Sequence, residues 1–325
     1  MKKPLLTLFV LLLVSINAIA AGSWHSGKVD ASAAGSRDYK VWLPEGYDSN
    51  KPLPMIVALH GCMQNAEAFS TQTGLNALAD TKKFIVLYPL QSSLANGLSC
   101  WNWMLDSNQS KMGGEPEIIA KITEQVVGKY AVDKSRVYIA GLSAGGGMAS
   151  NMMACYPEIY AAGSVHGGVM FRAADNPGVG MAAMFDASKA NSPEVTGRAA
   201  WECSGKFRKP VPVMIWHGTS DNIVVPGHVD LMVRQFVKMN DLADDGQEND
   251  SISSKNPEKK TVKTDKKRSY VRETYRGFNQ DLIVKCMVEG MDHAWSGGSS
   301  QIPYSDPSGP DATQIMVEWF LTKKR

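Results

Sequence analysis

Residues 136–150 read Arg136-Val-Tyr-Ile-Ala-Gly-Leu-Ser-Ala-Gly-Gly-Gly-Met-Ala-Ser150. The run Val137 to Ala140 has strand character, and it breaks at Gly141-Leu142-Ser143-Ala144-Gly145. A stretch of small residues with helical character follows to about Cys155. Strand, G-x-S-x-G, helix describes a serine held on a sharp turn, with its hydroxyl projecting above the end of a sheet. Strand and helix close on each other at such a turn, so the residues two before and two after the serine must be small. Gly141 and Gly145 have no Cβ to clash there. The Ala144 N–H, at the helix N-terminus, points to where an anion forming beside Ser143 would sit.

A nucleophilic serine needs a base and an acid, and on this architecture they follow it in the order acid, then histidine. Val211-Pro-Val-Met-Ile-Trp216 reads as a strand ending in His217-Gly-Thr-Ser-Asp-Asn222, which puts Asp221 just beyond its C-terminal end. Leu282-Ile-Val-Lys-Cys-Met-Val288 reads as a later strand, followed by Glu289-Gly-Met-Asp-His-Ala-Trp295. Ser143, Asp221 and His293 therefore come in the required order, each at a strand end. Of the six histidines, His60 and His217 each end a strand before a glycine and read as buried structural residues. His228 opens a helix, and His166 comes too soon after the serine. Asp230 falls on a helix, and Asp292 would point away from its neighbour His293. The second anion donor is expected from an early strand-to-helix loop. Leu53-Pro-Met-Ile-Val-Ala-Leu59 opens into His60-Gly-Cys62, which places the Cys62 N–H opposite that of Ala144.

Strand-like runs at Tyr39–Leu43, Met55–Leu59, Phe84–Tyr88, Val137–Ala140, Ala162–His166, Val213–Trp216 and Ile283–Val288 alternate with helical stretches. The clearest helical patterns are Glu117–Tyr130, Val229–Met239 and Ala312–Lys323. Such alternation specifies an α/β fold: a mostly parallel central sheet with helices on both faces. Residues 21–325 are expected to form one domain, with a charged, flexible insertion near 244–267. Its lysines (259, 260, 263, 266 and 267) read as a solvated mobile loop. Phe171–Arg208, rich in Ala, Gly and Met, lies where a cap over the site belongs.

Met1-Lys2-Lys3, an apolar stretch from Leu5 to Ile19 and Ala18-Ile-Ala20 form a secretory signal peptide, with cleavage expected after Ala20. The apolar stretch is too short to span a bilayer comfortably, so no stable membrane insertion is expected. Removing Lys2 and Lys3 takes the net charge from +2 to about zero, which gives no reason to expect a nucleic-acid partner. Export to a secreted or periplasmic location favours disulfides, and five cysteines leave one over.

Seven segments carry a resemblance: Leu59-His-Gly-Cys-Met-Gln-Asn65, Tyr88-Pro-Leu-Gln91, Cys100-Trp-Asn-Trp103, Gly141-Leu-Ser-Ala-Gly-Gly146, His217-Gly-Thr-Ser-Asp221, Gly290-Met-Asp-His-Ala-Trp-Ser-Gly-Gly298 and Tyr304-Ser-Asp-Pro-Ser-Gly-Pro-Asp311. Together they resemble the esterase family of poly(3-hydroxybutyrate) depolymerases, from about residue 38 to the C-terminus. The resemblance implies the α/β-hydrolase fold. It also implies ester hydrolysis by Ser143, Asp221 and His293 through an acyl-enzyme, with Cys62 and Ala144 as the oxyanion hole and neither cofactor nor metal. Cys62 and Cys100 sit in motifs that recur together in the family, which implies a Cys62–Cys100 bridge. For the rest, Cys155 reads as buried, and Cys203 and Cys286 are candidates to pair. Trp101, Trp103 and Trp295 lie in motifs beside the candidate catalytic loops and are expected to form an aromatic binding wall. The expected substrates are hydroxyalkanoate esters, polymeric or oligomeric, with feruloyl or acetyl-xylan esters as the alternative. Many secreted depolymerases of this group carry an extra polymer-binding domain; none is expected after the helix Ala312–Lys323, so short oligomers and soluble esters are expected before solid polymer. A non-catalytic binding protein on the same scaffold is the competing class, and the intact Ser, Asp and His set speaks against it.

Overall fold

The protein is described by a computed structural model covering residues 22–31, 35–264 and 267–325. The expected signal peptide lies outside these residues. The chain opens with β1 (Ser23–Asp30), β2 (Ser36–Leu43), β3 (Leu53–Leu59), α1 (Ala66–Thr73), α2 (Leu75–Lys82), β4 (Ile85–Pro89) and α3 (Gly114–Lys129). It continues through β5 (Val132–Leu142), α4 (Ala144–Cys155), β6 (Ala162–His166), α5 (Pro177–Phe185), α6 (Pro193–Cys203), β7 (Val213–Gly218) and α7 (His228–Asp245). It closes with β8 (Glu258–Thr264), β9 (Lys267–Gly277), β10 (Gln280–Val288), β11 (Trp295–Ser296), β12 (Ser305–Asp306) and α8 (Ala312–Leu321).

Ten strands form one sheet in the order β1-β2-β4-β3-β5-β6-β7-β10-β9-β8. The run from β4 to β10 is parallel throughout, and an antiparallel pair borders it at each edge. The central strands are apolar on both faces because helices cover both. Along β3, Met55, Val57 and Leu59 enter one core with α3, α4 and α7, while Ile56 and Ala58 enter the other with α1, α2 and α8. That is the two-residue alternation of a strand buried on both sides. Parallel strands also release their chains at the same end, so the loops after β3, β5, β6, β7 and β10 meet along one edge.

Three expectations need correction. The charged segment is not a mobile loop throughout: β8 pairs antiparallel with β9 at the sheet edge, and Ile252 is buried in the core. Lysines along an outermost strand look like loop composition, yet they are also how an edge strand discourages further pairing. Cys203 pairs with Cys155, tying α6 to the end of α4, and buried Cys286 on β10 is the free thiol. Trp295 belongs to the core beneath the sheet. Its ring stacks on His166 at 3.6 Å, meets Phe69 edge-on, and donates through Nε1 to Thr313 Oγ1 at 2.9 Å.

Candidate active site

Ser143 sits between β5 and α4 with φ 57° and ψ −121°. Positive φ is strained for serine, costing about 1–3 kcal/mol, and persists only where the surroundings over-determine it. Here its N–H donates to the His166 carbonyl at 2.9 Å. The flanking glycines let strand and helix touch. A Cβ on Gly141 would lie 2.1 Å from the Gly145 carbonyl oxygen, and one on Gly145 would lie 2.2 Å from that of Leu59.

Asp221 follows β7 and His293 follows β10, and both are buried. The His293 Nδ1–H donates to Asp221 Oδ2 at 2.8 Å. Asp221 Oδ1 accepts from the Ile223 and Val224 N–H groups at 3.0 and 2.9 Å. Burial alone would raise the Asp221 carboxyl, but the hydrogen bonds and charges of His217 and His293 outweigh it and hold its pKa well below the usual carboxylate range. His293 Nε2 is buried without a hydrogen-bond partner, and His293 lines a cavity of about 110 Å³ together with Ser143. Asp292 is exposed, as expected from its place beside His293.

The loop expected to supply the second anion donor lies beside the same cavity. Gly61 N–H donates to Gln64 Oε1 and Met63 N–H to the Leu98 carbonyl, while no hydrogen bond of the Cys62 N–H is seen among the described residues. Ala144 is the first residue of α4, so its N–H has no carbonyl one turn back. Cys62 and Ala144 line the same cavity as Ser143, and Cys62 is bonded to Cys100, as the resemblance implied.

That second cavity, about 400 Å³ and mainly apolar, is walled by Trp101, Trp103, Met104, Val169, Met181 and Met184, among others. Trp103 packs against α4, where a Cβ on Gly147 would lie 2.9 Å from its ring. Trp101 and Trp103 line this cavity, and Trp295 does not. The Phe171–Arg208 stretch supplies α5, whose Met181 and Met184 roof the cavity. Sequence reasoning missed three things here. Ile223 and Tyr304 line the smaller cavity. His217, read as merely structural, reaches Asp221 Oδ2 at 3.2 Å. Buried Glu115 accepts from the Asn102 N–H at 2.7 Å and from Gln91, so it anchors the loop carrying both tryptophans. Tyr304 was in plain view in a quoted motif; nothing local marked Glu115.

A strand-end serine, acid and histidine on a mostly parallel sheet covered on both faces define the α/β-hydrolase class. The acetyl xylan esterase from Aspergillus awamori superposes with a TM-score of 0.71 at 21% identity, over 91% of this chain and 98% of that one. The family model described as Esterase PHB depolymerase matches residues 37–255, and the chain belongs to that family. Poly(3-hydroxyalkanoate) depolymerase C of Paucimonas lemoignei is 35% identical over 201 residues, 60% of this chain and 46% of that one. Feruloyl esterase B of Thermothelomyces thermophilus is 29% identical over 211 residues, covering 60% and 68%. Probable acetylxylan esterase A of Neosartorya fischeri is 31% identical over 195 residues, covering 57% and 51%. The matches thus span about half the length of the depolymerase and of the acetylxylan esterase.

Proposed function

We propose that the protein is an exported serine esterase that cleaves hydroxyalkanoate esters, polymeric or oligomeric, through an acyl-enzyme. The observation that carries this reading is the His293–Asp221 pair: the imidazole's second nitrogen has no partner, and His293 and Ser143 line one cavity. His293 takes the proton from Ser143 Oγ as the oxygen attacks the ester carbonyl. Asp221 orients the imidazole and stabilises its charge, while the Cys62 and Ala144 N–H groups receive the oxyanion. His293 then protonates the departing alcohol, and water repeats the attack to release the acid. A hydrogen bond from serine to histidine often tightens only once substrate is bound.

The leaving alcohol must be on the His293 side, and His293 lines the cavity of about 110 Å³. The acyl group then extends into the apolar cavity of about 400 Å³ that His293 does not line. An acetyl group would leave that space empty, which favours hydroxybutyryl oligomers. The Trp101 and Trp103 walls support a second reading, an aromatic feruloyl acyl group. The N-terminal signal pattern and two disulfides support export. A substrate panel tests the reading: hydroxybutyrate oligomers, amorphous polymer granules, feruloyl esters, acetylated xylan, and p-nitrophenyl esters from acetyl to octanoyl. The expected result is higher kcat/KM on hydroxybutyrate oligomers than on acetylated xylan, with p-nitrophenyl esters improving beyond acetyl. Preference for acetylated xylan, with acetyl the best acyl group, would overturn it.

A further inference from the structure

Imidazoles cluster about the acid. His293 and His217 contact Asp221 directly, His228 lies close enough to act on His217 and Asp221 electrostatically, and His166 on His217. Burial lowers the pKa of both His166 and His228, so neither brings a positive charge at neutral pH. His228 Nε2 is held by the Ala183 carbonyl at 2.6 Å, and His166 Nε2 by Ser164 Oγ at 3.0 Å. That leaves His217 as the second imidazole acting on the acid.

The protonation of His217 can be read from its neighbours. Its Nε2 lies 2.7 Å from the Val224 carbonyl oxygen, which only accepts, so Nε2 carries a proton. Its Nδ1 is buried without a partner, and the ring is wholly inaccessible. The same nitrogen stands 3.2 Å from Asp221 Oδ2, the oxygen that receives His293 Nδ1, so both oxygens compete for its proton. Asp221 therefore has two backbone donors on Oδ1 and two imidazoles on Oδ2.

We propose that His217 is a positioning residue for the reaction: it fixes the Asp221 carboxylate and tempers its pull on His293. A donor on Oδ2 withdraws negative charge from the oxygen that His293 faces. Without it, the carboxylate holds the imidazolium form of His293 more tightly, and His293 gives up its proton only at higher pH. The base is then in its active, neutral form over a narrower range. This rests on the catalytic roles proposed above for Ser143, Asp221 and His293.

The experiment compares His217→Phe, His217→Asn and His217→Gln with the wild type. Phenylalanine keeps the ring's bulk without a donor. Asparagine is too short to bring its amide to the position of Nε2, whereas glutamine can do so. Two profiles are read against pH: kcat/KM on p-nitrophenyl butyrate, and the rate at which a fluorophosphonate labels Ser143. The acidic limb of both should move up by about half to one pH unit in the Phe and Asn variants, and return toward wild type in the Gln variant. If Phe fails to fold, Asn carries the same comparison. Acidic limbs that coincide in all four proteins, with activity lost in proportion to folded protein, would show a purely structural histidine and overturn the proposal. Ser143→Ala separates the two claims: labelling that survives it overturns the catalytic assignment, whereas abolished labelling with unmoved limbs overturns only the role of His217.

Discussion

The two disulfides allow stability and catalysis to be separated. Cys62–Cys100 spans 38 residues and Cys155–Cys203 spans 48. Loop-closure entropy for chains of these lengths gives about 4 kcal/mol for either bridge. Replacing each pair by alanines should therefore lower the urea midpoint to a similar extent. Their positions differ. Cys155 is at the far end of α4, about 16 Å along the helix from Ala144 at a rise of about 1.5 Å per residue. Cys62 itself supplies an oxyanion donor in the proposed mechanism, and its partner Cys100 begins the loop of Trp101 and Trp103. Removing one oxyanion donor outright costs about 10²–10³ in kcat. The Cys62→Ala/Cys100→Ala variant keeps the donor but frees its loop, so the expected loss is about ten- to a hundredfold. The Cys155→Ala/Cys203→Ala variant should stay within about twofold, as expected of a change far from the reacting atoms. Both are assayed on p-nitrophenyl butyrate well below their melting temperatures, with active sites counted by fluorophosphonate titration. Equal kcat in the two variants would refute the argument that the Cys62 bridge holds the oxyanion loop for catalysis.

Other outcomes follow from the same geometry. Ser143→Ala, His293→Ala and Asp221→Asn should each remain folded and lose about a thousandfold or more in kcat; near-normal turnover of Asp221→Asn would move the acid elsewhere. Burial raises the Glu115 carboxyl above its ordinary value of 4.5, despite hydrogen bonds from Gln91 and Asn102 and the charge of Arg37. Its contribution to stability is thus full below pH 4.5 and declines as pH rises through the higher folded value; Glu115→Gln should remove that slope from urea midpoints measured between pH 4 and 7, and an unchanged slope would count against it. Deleting 249–266 removes buried Ile252 and uncovers the edge of β9, so melting temperature should fall and size-exclusion profiles should show self-association, with kcat unchanged. A wild-type melting curve for that deletion would show that the segment does not support the core.

The parts of this protein that were legible in its sequence are those where local chemistry leaves one solution. The turn at Ser143 demands Gly141 and Gly145, and α4 runs over Ala144–Cys155 as the small-residue stretch suggested. β6 coincides with the strand-like run Ala162–His166. Elements whose identity depends on distant partners were not legible. β1, β8 and β9 are antiparallel border strands with many polar residues, and only their pairing makes them strands. The Cys155–Cys203 pairing depends on how α6 lies against α4, which residue spacing does not encode. Trp295 is two residues from His293, yet His293 lines the cavity while Trp295 packs into the core shared by α1, α2 and α8.

The histidines show most clearly where sequence context runs out. His60, His166 and His217 each stand at the end of a parallel strand and precede glycine, and on context alone they differ little from His293. In the fold, all three hold the loops on which the site depends. His60 Nε2 accepts the Gln91 N–H at 3.1 Å and its ring lies against Trp101, which links the oxyanion loop to the cavity wall. The His166 carbonyl takes the Ser143 N–H. His217 joins the acid loop to itself through Val224 and reaches Asp221. What sets His293 apart is its place in the cavity wall. His166 and His217 also keep a nitrogen without a partner, but neither residue lines a cavity with Ser143. Among the described imidazoles, only His293 combines an acid on one nitrogen, a free second nitrogen and a place in the wall beside the serine. A base needs all three, and only the folded chain supplies them together.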